Sequence, residues 1–249
     1  MKKELYPIKG IITTVISPFV GEDKRLDVES LTNEVDMACK AGVAGFLVPC
    51  LASEQPLLTT EDKKLLVSET AKAAAGRAKL ITSITAPTVE ERIRLMHEFQ
   101  DYGIDGFNMQ VPTDNDDAML RAVEAVDKEK PPFIFIQDAD FNGNGLRNDL
   151  IVRAFNEFES VIGCKIEVKF TAPKCSQLLK ETEGRMVIAS GWGNDQLLEL
   201  LDRGLHLVMP SGMFELWVKV FDLHAAGNRE AAKRLFYDML PIITFTRQR

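Results

Sequence analysis

The sequence is poor in the residues that build metal and disulfide sites. It has three histidines, at positions 97, 206 and 224, and four cysteines scattered between Cys39 and Cys175. No two cysteines form a CxxC pair, and no histidine lies close to one in sequence. These patterns exclude a histidine-rich metal site and disfavour a disulfide framework. We therefore expect reduced, cytoplasmic thiols and neither a metal nor an organic cofactor.

Long apolar runs and an excess of positive charge are also missing. No stretch reaches the roughly 18 apolar residues of a membrane span, and no apolar segment follows the first lysines as in a signal peptide. Acidic residues outnumber basic ones by 37 to 30, which disfavours nucleic acid as the main partner because phosphate binding needs a basic face. A hydrophobic fraction of 45% excludes disorder. We predict no membrane and no nucleic-acid partner, but a small-molecule ligand.

Short β-branched apolar segments alternate with longer segments of helical spacing along the whole chain. Several of the apolar segments, such as GFLVP and FIFI, are typical of strands buried on both faces of a parallel sheet. The eight predicted strands are Ile8–Phe19, Ala44–Cys50, Lys79–Thr85, Gly106–Val111, Phe133–Asp138, Val161–Val168, Arg185–Gly191 and Leu205–Ser211.

Each predicted strand is followed by a predicted helix, in several cases with an Asp or Thr cap and a terminal glycine. The helices are Asp27 to Gly42, Thr59 to Gly76, Thr88 to Gly103, Asp114–Asp117 to Lys128, Arg147–Phe158, Pro173–Thr182, Asn194–Arg203 and Met213–Ala226. Eight such units predict an α/β (β/α)₈ TIM barrel over residues 1–226. A doubly wound sheet is the alternative, but no glycine-rich phosphate loop follows the first strand. A C-terminal helix within 227–249, interrupted at Pro241, completes the prediction.

Lys165 is the most unusual residue at the carboxyl ends of these strands, where the active sites of such barrels lie. It lies in VIGCKIEV, which is otherwise largely apolar, and a buried lysine is costly unless it is paired or neutral. A lysine with a depressed pKa forms Schiff bases with carbonyl groups. The alternative is a structural ion pair with Glu167, which lies two residues on and shares the same strand face. Spacing alone leaves both open.

Other strand ends carry weaker candidates. Asp138 and Asp140 in IQDADFNGNG are candidate ligands for substrate hydroxyls or protons, although Asx turns explain them equally. Gly191 in ASGWGND permits close approach of a ligand, and it also suits a tight turn. Glu54 in PCLASEQP is either a general acid or a carboxylate that fixes its loop. Cys50 is interpreted as a packing residue.

The chain resembles the dihydrodipicolinate synthase / N-acetylneuraminate lyase family, whose members are class I aldolase-like barrels acting on 2-oxo acids. The segments GIITTVISPFVGEDKRLD, PCLASEQPLLTTEDK, VIGCK and ASGWGND carry the resemblance. It implies that Lys165 is the Schiff-base lysine. It also implies that Leu51, Ala52, Ser53 and Glu54, in place of the family's GTTGE loop, hold the substrate carboxylate. The family's terminal helical bundle implies that 227–249 begins a truncated or incomplete bundle of a homo-oligomer (dimer or tetramer).

The departures from the family concern proton transfer. The family's catalytic tyrosine falls at Ile136 or, with a shift of one residue, at Gln137, and its second tyrosine falls in VPTDN, again without one. The dihydrodipicolinate reaction itself is therefore not expected. We predict that Asp138, Asp140, Glu54 or a water held by Gln137 supplies the missing acid or base.

Two functional hypotheses follow. The first is a Schiff-base lyase, an aldolase or dehydratase, for a 2-oxo acid such as a 2-keto-3-deoxy sugar acid. In it Lys165 and Asp138 are catalytic, while Leu51, Ala52, Ser53, Glu54, Gln137, Asp140 and Gly191 bind substrate. The second is a catalytically impaired barrel that binds a small carboxylic acid. A Lys165 amine locked to Glu167 beneath a mouth filled by Leu51 favours the second, and an open pocket at Lys165 favours the first.

Overall fold

Eight parallel strands close into a barrel in the computed structural model, which describes residues 3–112, 115–192 and 194–246. Around the barrel the eight strands follow their order in the chain, and the last strand pairs back with the first. The predicted (β/α)₈ barrel is therefore confirmed. The strands are β1 (Gly10–Thr14), β2 (Phe19–Val20), β3 (Arg25–Leu26), β4 (Gly45–Leu47), β5 (Lys79–Ser83), β6 (Gly106–Gln110), β7 (Ile134–Asp140), β8 (Val161–Val168), β9 (Val187–Ser190) and β10 (Leu207–Val208).

Strands β2 and β3 form a small antiparallel pair outside the barrel, in the loop after β1. The sequence predicts one strand from Ile8 to Phe19, whereas β1 ends at Thr14 and Phe19 belongs to β2. Apolarity alone does not mark where a strand leaves the barrel, because the loop residues Ile16 and Phe19 are apolar yet exposed.

Helices follow the barrel strands as predicted, with ends set largely by caps. The Asp27 carboxylate accepts from the Ser30 amide to begin the first helix, and Gly42 ends it in the left-handed conformation. The helices are α1 (Val28–Ala41), α2 (Thr60–Ala74), α3 (Val89–Gln100), α4 (Asp116–Asp127), α5 (Asn148–Glu157), α6 (Thr171–Glu181), α7 (Leu197–Asp202), α8 (Phe214–Ala225) and α9 (Arg229–Thr246). No helix among the described residues is long and apolar enough to cross a membrane.

Three predicted details either differ from the structure or fall on residues that the structure does not describe. Helix α9 continues through Pro241 to Thr246, so the predicted interruption there is wrong. Packing of one face, which includes the buried Phe236 and Ile243, holds the helix together although proline provides no amide donor. Positions 113 and 114, which carry the predicted start of the fourth helix and part of VPTDN, lie outside the described residues.

Alternate residues of each barrel strand face in opposite directions. On β8, Cys164, Ile166 and Val168 join the apolar layer between barrel and helices. Away from the carboxyl ends of the strands, the interior is filled by a second apolar cluster that includes Phe133, Phe135 and Leu207. Polar side chains replace this cluster only towards the carboxyl ends of the strands, and that end therefore holds the candidate site.

Candidate active site

Lys165 and Glu167 lie on the inward face of β8, as their spacing of two residues predicted. The Lys165 ammonium lies 2.8 Å from Oε1 of Glu167, and only 4% and 7% of the two residues are exposed. A buried lysine is tolerated because this carboxylate compensates its charge. The pair satisfies the structural interpretation of Lys165, but it also places a proton acceptor against the amine.

A chain of amide side chains holds Glu167 from the other side. Nε2 of Gln137 donates to Oε2 of Glu167 at 2.5 Å. Nδ2 of Asn108 donates to Oε1 of Gln137 at 2.8 Å and to the hydroxyl of Ser83 at 3.2 Å. Because Asn108 donates to the Gln137 carbonyl, the Gln137 NH₂ group must point at Glu167. The network thus crosses four neighbouring strands and fixes the carboxylate that faces Lys165.

A cavity of about 320 Å³ opens at the barrel mouth beside this pair. Its wall includes the hydroxyls of Thr14 and Ser211, which lie 2.7 Å apart. The rings of Phe141 and Trp192 pack with their centroids 4.8 Å apart and line the same cavity. Its lining comprises Thr14, Cys50, Leu51, Ala52, Phe141, Lys165, Glu167, Gly191, Trp192, Asn194, Met209 and Ser211.

Gly191 provides the space that the ion pair occupies. A Cβ atom built on Gly191 would lie 2.3 Å from Oε1 of Glu167 and 2.7 Å from Cε of Lys165. Such contacts are shorter than real side chains show, so any other residue at this position would displace the pair. The observed role is more specific than either sequence-based interpretation, since the close approach is to the functional side chains.

The loop after β4 contributes its first residues to the cavity and uses its serine for structure. Leu51 and Ala52 line the mouth, and Leu51 stays 45% exposed, so it does not fill the mouth. The Ser53 hydroxyl donates to the Val15 carbonyl at 2.5 Å and accepts from the Cys50 amide at 3.1 Å. Glu54 is exposed, in a left-handed turn with φ of 55°, outside the lining of the Lys165 cavity.

The structure corrects the expectation for Asp138. This side chain lies on the outward face of β7, where it forms an ion pair with Lys174 of α6 and accepts from the Leu146 amide at 2.8 Å. Burial raises the pKa of the Asp138 carboxyl, and Lys174 opposes that shift. Because β7 alternates, Gln137 faces the barrel interior and Asp138 faces the helices. A catalytic role for Asp138 beside Lys165 does not fit this geometry.

Asp140 has the same outward orientation. Its carboxylate accepts from the Gly145 amide at 3.1 Å across the turn that follows β7. The contact spans five residues, so Asp140 has a turn-ordering role, as one interpretation of the sequence held, but by a longer bond than an Asx turn. A Cβ atom on Gly143 would lie 2.2 Å from this carboxylate, so the turn is packed tightly around it. Asp140 thus orders the loop that carries Phe141 to the cavity, and it does not itself join the Lys165 network.

Sequence reasoning missed several of the residues that the fold brings to the site. Ser83, Asn108, Thr14 and Ser211 come from four different strands or strand ends. Their one detectable signal was a polar side chain within, or at the end of, a predicted apolar strand. Among the described residues, no group of three or more His, Cys, Asp or Glu side chains is arranged to hold a metal ion.

The fold is a (β/α)₈ barrel, and a buried lysine paired with a carboxylate lies in the cavity at the carboxyl ends of its strands. This arrangement is typical of a barrel enzyme. The family model of the dihydrodipicolinate synthetase family matches residues 7–248. The chain therefore belongs to the dihydrodipicolinate synthetase family, which confirms the predicted family and the prediction of a lyase of that family.

Known relatives are distant but cover most of the chain. A 4-hydroxy-tetrahydrodipicolinate synthase of Methanopyrus kandleri is 21% identical over 95% of this chain and 81% of its own length. One of Laribacter hongkongensis is 26% identical over 92% and 79%. The solved dihydrodipicolinate synthase of Thermotoga maritima superposes with a TM-score of 0.85 at 17% identity, over 96% of this chain and 83% of that one.

Proposed function

We propose that the protein is a Schiff-base-forming lyase that acts on a 2-oxo acid, with Lys165 as the nucleophile. The observation that carries this proposal is the Lys165 ammonium, which lines the mouth cavity and lies 2.8 Å from the Glu167 carboxylate. Transfer of one proton from Lys165 to Glu167 leaves a neutral amine and a neutral carboxylic acid. Only the neutral amine carries the lone pair that attacks a carbonyl group.

The reaction begins when the amine adds to C2 of the 2-oxo acid. The resulting carbinolamine loses water as Glu167 returns its proton to the departing hydroxyl group, and a protonated imine remains. That imine accepts the electron pair of the C3–C4 bond in an aldolase, after a base removes the proton of the C4 hydroxyl. The cleavage releases an aldehyde and leaves an enamine, which takes up a proton at C3 and becomes an imine again. In a dehydratase a base instead removes a C3 proton, and the enamine then expels the C4 hydroxyl, which takes up a proton and leaves as water. In both reactions water hydrolyses the final imine, which releases the 2-oxo acid product and restores the Lys165 amine.

The cavity supplies groups for the substrate carboxylate. Leu51 and Ala52 of the loop after β4 line the cavity, and so do the hydroxyl-bearing residues Thr14 and Ser211. Such short donors bind a carboxylate without a cation, which leaves Lys165 available for the carbonyl carbon. We place the substrate carboxylate between these groups.

We further propose that the substrate differs from that of the dihydrodipicolinate reaction, and a 2-keto-3-deoxy sugar acid is the class we favour. None of the tyrosines lies in the Lys165 cavity: Tyr6 packs on Phe133, Tyr102 packs against the outer apolar cluster, and Tyr237 is exposed on α9. Gln137 faces inward where the resemblance implied a tyrosine, and an amide does not relay protons as a phenol does. Glu167 is the ionisable group that touches the amine.

Borohydride trapping tests the nucleophile. We expect pyruvate or a 2-keto-3-deoxy sugar acid, followed by borohydride, to leave a reduced adduct that peptide mass spectrometry locates on Lys165. Lys165→Arg should abolish the adduct, whereas Lys169→Arg, which changes an exposed lysine just beyond the same strand, should not. The absence of an adduct on Lys165 across a panel of 2-oxo acids would falsify the proposal.

The alternative function, a barrel that binds a small acid without turnover, draws support from the same ion pair. A lysine held at 2.8 Å by Glu167 is satisfied without substrate. The open cavity and the half-exposed Leu51 favour the lyase. A thermal-shift panel separates the two, since a ligand that raises the Tm but is neither trapped nor consumed supports binding alone.

We also propose a cytoplasmic homo-oligomer, a dimer or a tetramer. Tyr237, Ile242 and Phe245 expose more than half of their surface along α9, and exposed apolar residues on one element are typical of protein contacts. Sedimentation at micromolar concentration is the measurement, and Ile242→Glu is expected to shift the protein towards the monomer.

A further inference from the structure

Asn108 of β6 is a fully buried amide to which no step of the proposed reaction assigns a role. It lies outside the lining of the Lys165 cavity. Its Nδ2 donates to Oε1 of Gln137 on β7 at 2.8 Å and to the hydroxyl of Ser83 on β5 at 3.2 Å. Through Gln137, Asn108 is one side chain removed from the carboxylate that faces Lys165.

A chain of two amides that ends on a carboxylate has two self-consistent directions, because each amide has a donor side and an acceptor side. In the observed direction Asn108 donates to Gln137, and Gln137 donates to Oε2 of Glu167 at 2.5 Å. This direction suits an ionised carboxylate, which only accepts hydrogen bonds. In the reverse direction both amides turn over and the Gln137 carbonyl faces Oε2, which then has to carry a proton. The direction of the chain therefore decides whether Oε2 can hold a proton.

The environment of Asn108 favours the observed direction. Its carbonyl oxygen Oδ1 is buried and has no hydrogen-bond partner among the residues that the structure describes. If the amide turned over, its NH₂ group would take that place, and two buried donors would lack partners instead of one acceptor. Buried N–H groups without a partner are rarer in proteins than under-satisfied carbonyls. Gln137 cannot turn alone, since its NH₂ group would then meet the NH₂ group of Asn108.

The two carboxylate oxygens of Glu167 consequently have different roles. Oε2 accepts from Gln137, and a proton placed there would meet the amide hydrogens. Oε1 lies 2.8 Å from the Lys165 ammonium, so a proton that leaves the amine is held on Oε1. The proposed reaction requires it on that side, because the same proton returns to the hydroxyl group that departs from the carbinolamine.

We propose that Asn108 is a positioning residue, which keeps the Gln137 amide turned so that Glu167 carries its proton on Oε1 beside Lys165 and not on Oε2. The effect of Asn108 on a reaction rate rests on the proposed lyase function, whereas the direction of the amide chain does not. Because Asn108 does not line the cavity, its loss should slow the chemical step and leave the binding of substrate unchanged.

Borohydride trapping over a series of pyruvate concentrations tests this role. In Asn108→Leu we expect the limiting rate of adduct formation on Lys165 to fall by about tenfold to a hundredfold, as for the loss of a hydrogen bond to a carboxylate. The pyruvate concentration that gives half of the limiting rate should stay the same. Gln137→Leu should slow the reaction at least as much. The double variant should be no slower than Gln137→Leu, because Asn108 acts through Gln137.

Thr82→Val is the matched control. Thr82 is fully buried on β5, and its hydroxyl has no hydrogen-bond partner within the described part of the chain. It faces the helices, since its neighbour Ile81 belongs to the inner apolar cluster. We expect the wild-type rate in this control. An unchanged limiting rate in Asn108→Leu, a further fall in the double variant, or an equal fall in Thr82→Val overturns the proposed role.

Neutron diffraction from wild-type crystals exchanged into deuterium oxide tests the proposal without turnover, and it also decides the case in which Asn108→Leu does not fold. We expect the Gln137 ND₂ group to point at Oε2 of Glu167, the Asn108 ND₂ group to point at Oε1 of Gln137, and no deuterium on Oε2. The reverse direction, or deuterium on Oε2, overturns the proposal. If the wild type forms no adduct but shows the expected direction, the lyase function fails and the positioning of Glu167 by Asn108 stands.

Discussion

The Lys165 ammonium and the Glu167 carboxylate lie 2.8 Å apart inside the barrel mouth, two residues apart on one strand. Glu167 is placed to stabilise the buried lysine and, in the proposed reaction, to receive its proton.

Glu167→Gln should slow imine formation by about 10²- to 10⁴-fold, the usual effect of removing a general base. The substitution keeps the shape of the side chain but removes the proton acceptor and the charge partner of the buried Lys165, so the Tm should fall as well and the rate is measured on the folded variant. The measurement is the rate of borohydride-trappable adduct on Lys165, read by mass spectrometry. Glu54→Gln, which changes an exposed carboxylate at the mouth, serves as the control and should retain the wild-type rate. An unchanged rate in Glu167→Gln would remove Glu167 from the mechanism.

Gly191→Ala should abolish adduct formation and lower the Tm. Its new methyl group would lie 2.3 Å from Oε1 of Glu167 and 2.7 Å from Cε of Lys165, so the ion pair has to move. Gly143→Ala is a matched control, because its methyl group would meet the carboxylate of Asp140 at 2.2 Å on the outward face of β7. We expect that control to lose stability but to keep trapping. Normal trapping by Gly191→Ala contradicts the packing described for the pair.

Asp138→Asn should destabilise the protein by about 3–5 kcal/mol, because it leaves the ammonium of Lys174 buried without its charge partner. Asp138 is fully buried and Lys174 is 7% exposed, so solvent does not screen the loss. Urea unfolding measures the effect, and the double variant Asp138→Asn/Lys174→Met should recover much of it. Folded Asp138→Asn should form the adduct at the wild-type rate. A large fall in the rate of adduct formation by the folded variant would show that Asp138 takes part in catalysis.

Glu34 provides a test of stability against pH. Burial raises the pKa of this α1 carboxyl to about 7, and a single amide, that of Ile16, opposes the shift. The folded protein therefore retains a proton that the unfolded chain releases near pH 4.5, the usual value for this group. The stabilisation is complete below that value and is lost as pH rises through about 7.

Replacement of Glu34 by glutamine should remove this dependence. Glu34→Gln and the wild type should have similar Tm values near pH 4.5, and by pH 8 the variant should be higher by a few degrees. Glu29→Gln, an exposed change on the same helix, should follow the wild type at every pH. Parallel curves for Glu34→Gln and the wild type would show that this carboxyl titrates normally.

Much of the fold was predictable because its signals are local. The alternation of buried strands with capped helices predicted the barrel, and the isolated Lys165 identified the central strand of the site. The prediction was wrong where long-range packing decides, as at Pro241, where the tertiary contacts of α9 keep the helix continuous. The hairpin β2–β3 was missed because Phe19 and Val20 of β2 are apolar without being buried.

The eight-unit barrel follows from local patterns in the sequence, and strand periodicity is enough to place Lys165 and Glu167 on one face of β8. The identity of their neighbours depends on how the strands pair in the folded chain. Gln137 faces inward and Asp138 outward because β7 pairs with β8 in one particular register, with Gln137 opposite Lys165. Strand register and packing thus bring together residues whose positions in the sequence do not show that they are neighbours.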